Sequence, residues 1–239
     1  MGSGILGHEW NEDLDNGFRP AGLIRMSRTT VNNVLYIQDH GTLYDSGTAT
    51  HHLTLYRAKS GALVFSAGTV QWAWGLDPMH DTETGVPPER AVPGGAIRVG
   101  VDLKGPVRDI QQATVNLFAD MGVQPAALQP GLVAATQSSD AVPPSSRVRS
   151  PSDGARIAGD TIALSGTASD SGGAVAGVEV SLDGGVRWHP AVGTDTWRYE
   201  GRVPPKATVL QVLSRAVDDS GNLEAPQSAV RVTVGQSRP

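Results

Sequence analysis

The alternation of apolar and polar positions changes character near Leu132. Beyond it the pattern has a period of two. In "VAGVEVSLDGG", Val178, Val180 and Leu182 fall on one face and Glu179, Ser181 and Asp183 on the other. In "SAVRVTV", Val230, Val232 and Val234 alternate with Arg231 and Thr233. Between these runs lie "TIALSGTASD", "VRWHPAV", "TWRYEGRV" and "TVLQVLSRAVDDSG", separated by Gly/Asp turns. About seven short strands in roughly 90 residues predict a β-sandwich of immunoglobulin type. Asp183-Gly184-Gly185 is hairpin-turn chemistry, and Trp188 and Trp197 are its candidate core anchors.

Before Leu132 the periods are mixed. "GLIRMS" and "NVLYIQD" read as short strands, and "HHLTLYRAKSGALVFSAGTVQW" as two strands joined at Lys59-Ser60-Gly61. Leu63, Val64 and Phe65 form a continuous apolar run, as in a strand covered on both sides. "VRDIQQATVNLFADMGV" carries a helical stripe through Ile110, Ala113, Val115, Leu117, Phe118 and Met121, with Gly122 as its C-terminal cap. Strand, loop and helix in this order predict the end of an α/β layer. The Ser/Pro/Ala-rich stretch with Pro143 and Pro144 reads as a linker. "DTETGVPPERAVPGGAIRVGVDLKGP" reads as a surface excursion or mobile loop. The predicted organisation is an α/β part over 1–131, a linker over 132–146, and an all-β immunoglobulin-like sandwich over 147–236.

Composition narrows the chemistry. Net charge is −5 with no obvious basic face, which argues against a nucleic-acid partner. No apolar run reaches the roughly 18 residues of a membrane span. There is no cysteine among the 239 residues, so disulfides, thiol nucleophiles and zinc-thiolate sites are excluded together. The opening "MGSGILGHEW" lacks the basic stretch and apolar core of a signal peptide. It reads like a domain entered midway, so the expectation is the C-terminal piece of a longer protein. An upstream domain of the same polypeptide, or a second copy, is then the expected partner for the strand edge left open.

Three clusters are candidates for function. His8, Glu9, Glu12, Asp13 and Asp15 lie within eight residues. His8 and Glu9, being adjacent, would point to opposite faces of a strand, and a solvated acidic loop explains the cluster equally. Asp218, Asp219 and Asn222 in "RAVDDSGNLE" offer clustered oxygens to calcium, or else form a polar turn with Gly221 at positive φ. Trp72 and Trp74 end a strand in "GTVQWAWGLD", where open α/β sheets place their sites. They supply a pocket wall, or they pack against the helix at 107–121. His51 and His52 are adjacent, and the HExxH, HxH and G-x-S-x-G spacings are all absent.

Two resemblances extend this reading. "VEVSLDGGVRWHPA", Trp197 with Tyr199, and "RAVDDSGNLE" resemble bacterial immunoglobulin-like modules over about 147–235, including those ending sulfite-oxidase-type molybdenum enzymes. That resemblance implies a role in dimerisation or support. "GHEWNEDLDNGFRPAGL", "ATHHLTLYRAKSGALVFSAGTVQWAWGLD" and "QQATVNLFADMGVQPAAL" resemble the C-terminal part of the large (β) subunit family of N,N-dimethylformamidase, over about 4–130. The resemblance implies a partial α/β sandwich similar to class I glutamine amidotransferases. Trp72-Ala73-Trp74 stands where those carry His and Glu, and no cysteine exists, so their mechanism is excluded. It further implies a mononuclear iron amide hydrolase with tyrosine and glutamate ligands, in which Glu9 of "GHEW" is the candidate glutamate and His8, Trp72 and Trp74 are pocket candidates. Tyr36, Tyr44 and Tyr56 are not in the expected positions. Relatives occur in long secreted bacterial proteins, so a secreted or cell-surface setting is expected. The competing expectation is a non-catalytic module for adhesion or glycan binding.

Overall fold

The computed structural model describes residues 5–7, 10–77 and 105–235. They fall into two compact units. One comprises residues 1–13, 26–54 and 65–138, and the other 14–25, 55–64 and 139–239. The predicted excursion over 81–106 lies outside the described residues except for its last two positions.

The first three strands are β1 (Ile24–Gln38), β2 (Leu43–Arg57) and β3 (Leu63–Ser66), in the order β1-β2-β3. β1 joins the two predicted runs "GLIRMS" and "NVLYIQD" into one strand of 15 residues. The connections are tight. His40 and Gly41 take positive φ between β1 and β2, and Gly61 does so between β2 and β3. At the second turn the Ala58 N–H donates to the Ala62 carbonyl at 2.8 Å. Turns this short make hairpins, because a parallel crossover needs a dozen or more residues. The α/β expectation is therefore not supported: 44% of the described residues are strand and 11% helix. The one α-helix among the described residues is α1 (Arg108–Asp120). It buries Ile110 and Ala119, while Phe118 and Met121 of the predicted stripe are exposed. Gly122, at φ +75°, ends it as predicted. Val64 is exposed too, so β3 is not covered on both sides. Among the described residues it is paired on one edge only.

Residues 133–138 follow α1 in irregular, extended form. Gln112 exchanges two hydrogen bonds with the backbone of Val133, at 2.8 and 2.9 Å. Gln124 donates to the Ala135 carbonyl and Gln137 to that of Asp120. Side-chain amides thus hold a stretch that has no apolar pattern of its own.

The sandwich follows: β4 (Ser145–Ser150), β5 (Ala155–Ala158), β6 (Thr161–Ser169), β7 (Val175–Ser181), β8 (His189–Pro190), β9 (Val192–Gly193), β10 (Thr196–Arg202), β11 (Val209–Asp218) and β12 (Val230–Gly235). One sheet has the order β4-β6-β10-β9 and the other β5-β12-β11-β7-β8. Ile162, Leu164 and Trp197 from the first sheet meet Val178, Val180, Leu210, Val212 and Val232 from the second in one buried cluster. Trp197 is 1% exposed, and its cross-strand partner is Gly166. A side chain at 166 would collide with the indole, so glycine is required for the ring to lie flat on β6.

One expectation changes here. Trp188 is not a core anchor. It is half-buried outside the cluster, its indole N–H donates to the Gly185 carbonyl at 3.0 Å, and the Arg215 guanidinium lies 3.9 Å from its ring centroid. On the polar face of β7, Glu179 and Ser181 are buried like the valines. Glu179 accepts from Arg19 Nη1, from Arg215 Nε at 2.8 Å and Nη2 at 2.7 Å, and from the Gly22 N–H at 3.4 Å.

Truncating Trp197 to alanine should cost about 3–5 kcal/mol, as for a large aromatic removed from a core. Trp188→Ala should cost less, because it removes a cation–π lid and not a core ring. Urea unfolding of the two variants against wild type checks the ranking.

Candidate functional site

Of the predicted cluster near the start, His8 and Glu9 lie outside the described residues. Their described neighbours are tied into the first unit. Thr69 Oγ1 donates to the Ile5 carbonyl at 2.8 Å. The Asn11 N–H donates to the Gly68 carbonyl, and the His52 N–H to the Asn11 carbonyl, at 2.8 and 3.0 Å. The Asp13 N–H donates to His52 Nδ1 at 3.1 Å.

This pattern buries two adjacent histidines on β2, whose side chains leave opposite faces of the strand. His51 is 0% exposed. Its Nε2 lies 2.9 Å from the Ala67 carbonyl, which can only accept, so Nε2 carries the proton. Nδ1 then presents its lone pair, and it is enclosed without a hydrogen-bond partner among the described residues. Burial pushes the imidazole below its usual pKa, with the Ala67 carbonyl partly opposing. Gly68 makes the close approach possible: its φ is +63°, and a Cβ there would stand 2.8 Å from His51 Nε2. The spacing of the histidines carries no metal motif, so sequence reasoning passed over them. The available signal was two imidazoles in a strand that continues into Leu53 and Leu55.

Trp72 and Trp74 belong to a 3-10 turn, Val70–Gly75, whose Gln71 N–H is capped by Thr69 Oγ1 at 3.3 Å. Trp72 packs edge-on against Phe65 with ring centroids 5.4 Å apart. What meets α1 is Gly75 and Leu76. The Val107 N–H donates to the Gly75 carbonyl, and Gln111 Nε2 to that of Leu76. The indole of Trp72 is thus committed to packing on β3.

In the sandwich, Asp218 is fully buried and caps its own turn. Its Oδ1 accepts from the Ser220 and Asn222 N–H groups at 2.9 and 2.8 Å, and its Oδ2 from the Asn222 amide at 2.8 Å. Gly221 takes φ +79°. Asp219 Oδ1 accepts from the Ala174 N–H. The structure brings Asp218 together with Asp140 and Asp170, one carboxylate oxygen of each lying within 4.8 Å of the others. Three carboxylates are a donor set that a hard divalent cation could take. Backbone donors of the local loops also serve them: Asp170 Oδ2 accepts from Gly172 and Gly173, and Asp140 Oδ1 from Val142. Asp140 and Asp170 are far from Asp218 in sequence, which hid them. A cavity of about 150 Å³ in the same unit, lined by Ser146, Ser214, Gln227 and Val230 among others, is small for a ligand site.

Residues 1–84 match the family model described as N,N-dimethylformamidase beta subunit-like, C-terminal. Residues 144–211 match that of a bacterial Ig domain. Among curated proteins, mitochondrial sulfite oxidase of Rattus norvegicus and that of Mus musculus are each 32% identical over 96 residues. Each alignment takes in 35% of this chain but only 18% of the relative, so the chain spans under a fifth of the length of these proteins. Among solved structures, the sulfane dehydrogenase SoxCD of Paracoccus pantotrophus aligns at 29% identity and TM-score 0.30, over 34% of this chain and 23% of its own. Fibronectin(III)-like modules of Clostridium thermocellum CbhA align at 14% identity and TM-score 0.33, over 91% and 82%. At these scores the structural likenesses carry no argument. The immunoglobulin-like assignment rests on the Ig match and the two-sheet strand order. Among the described residues no helix is long and apolar enough to cross a membrane.

The histidine pair gives a pH test. His51 titrates near 6.5 when unfolded and lower when folded. Below pH 6.5 the unfolded chain therefore binds a proton that the folded one refuses. Stability should be constant above that pH and fall as pH drops toward the folded value. His51→Gln should flatten this part of the profile, as read by denaturant midpoints between pH 8 and 5.

Proposed function

We propose that residues 1–84 are the C-terminal portion of an amide hydrolase related to N,N-dimethylformamidase, acting on small amides, and that the immunoglobulin-like sandwich is its non-catalytic support module. The match over residues 1–84 is the observation that carries this reading. A secreted or cell-surface setting is part of the same proposal.

The iron implied by that relationship needs phenolate ligands beside a glutamate. Tyr44 is 51% exposed on the β1–β2 hairpin, and Tyr36 packs across Gly47. Neither is enclosed as an ion ligand would be, and Glu9 lies outside the described residues, so no step is routed through the group. What this chain offers is a buried neutral imidazole, His51, whose lone pair can hold a proton at Nδ1. The second reading, a binding or adhesion module, is favoured by the Ig match alone.

On the first reading the isolated 239-residue chain binds no stoichiometric iron and does not hydrolyse formamides. Metal analysis and an ammonia- or amine-release assay, run beside Glu9→Ala, check both. Turnover above that control would place a complete active site within this chain.

A further inference from the structure

Glu179 has no partner of opposite charge on its own strand, yet it is 4% exposed. Arg215, its cross-strand neighbour on β11, supplies one guanidinium. The second comes from Arg19, far outside the sandwich sequence. Around this point, residues 14–25 and 55–64 lie in the same compact unit as residues 139–239. Four contacts hold them. Asp15 bonds His189 Nδ1 at 2.8 Å. Arg19 reaches Glu179 with one guanidinium nitrogen and the Leu23 carbonyl with another. Gly22, at the glycine-favouring φ of +68°, lies in van der Waals reach of Leu223 and Val217. Arg57 donates to the Ser220 carbonyl at 3.0 Å.

We propose that the β7–β11 face of the immunoglobulin-like module is a binding site for an arginine-bearing segment, and that its ligand is residues 14–25 of the same chain. Glu179 is the recognition residue, and Trp188 holds Arg215 in place from the opposite side by stacking on its guanidinium. The chemistry selects arginine. A carboxylate with two oxygens in use accepts from planar donors on both sides, a geometry that an ammonium does not reproduce. Burial makes the site strict, because removing Arg19 leaves a carboxylate oxygen without that donor away from water. The module is thereby a partner for part of the region matched to the dimethylformamidase-like family, and this holds whatever that region catalyses.

The test uses the full chain and hydrogen exchange. Arg19→Met leaves the Glu179–Arg215 pair in place, so the sandwich folds. It should raise exchange across residues 14–25 at least about tenfold, as for loss of a buried ion pair, with β6 and β10 unchanged. Arg19→Lys should recover only part of the protection. A labelled peptide of residues 14–25 should bind the Arg19→Met chain, and the same peptide carrying Arg19→Met should not. Unchanged protection of 14–25 in Arg19→Met would overturn the proposal. So would exchange that rises equally in β6 and β10, or equal binding of the two peptides.

Discussion

The structure of the second unit turns on one carboxylate. Glu179 sits in a strand whose other face is the valine core, so moving it to solvent would mean turning β7 over. Taking a carboxylate out of water costs several kcal/mol unless charges and hydrogen bonds replace the water. Arg215, Arg19 and the Gly22 N–H replace it. Once that arrangement is fixed, residues 14–25 are bound to lie on the outer face of β7, and Arg215 is bound to lie beneath Trp188. Three features that look unrelated in sequence are consequences of one buried charge.

Local patterns in the sequence transmitted what local physics decides. The period of two placed Val178, Val180 and Val232 in the core, and Gly122 marked the end of α1. The failures lie where a distant segment intervenes. The burial of Glu179 was not legible, because its cover, Arg19, is 160 positions away. Trp188 and Trp197 were indistinguishable as anchors because each sits in a short run beside a turn. Only the pairing of Trp197 with Gly166 across β6 decides which ring enters the core. The α/β reading failed for a different reason. Apolar runs reveal strands but not their direction, and direction was set by His40, Gly41 and Gly61 in tight turns.

The candidate site shows the same division. Residue types were legible in the histidines and the acidic clusters, but convergence was not. Asp218 was visible in "DDSGN" as a turn former, and it is one. Its approach to Asp140 and Asp170 depends on loops brought together by the sandwich. His51 and His52 carried no motif, because their burial comes from the Asn11 and Gly68 backbones closing over β2.

Buried polar groups occur in both units, and how each is bonded decides what it can still do. In the sandwich most buried carboxylate oxygens are bonded, Asp170 Oδ1 being without a partner among the described residues. Glu179 faces two guanidinium groups, Asp218 caps its own turn, and Glu224 accepts from the Ser146 and Ala216 N–H groups at 2.9 and 2.8 Å. Groups so fully bonded fix a conformation and have little capacity left for a substrate. In the first unit, His51 is enclosed with one nitrogen bonded and the other without a partner among the described residues. A buried acceptor without a partner costs stability, so its retention calls for an explanation that packing does not supply. Among the described residues both units keep an enclosed polar atom of this kind: His51 Nδ1 in the first, and Asp170 Oδ1 in the second, where Asp170 converges with Asp140 and Asp218.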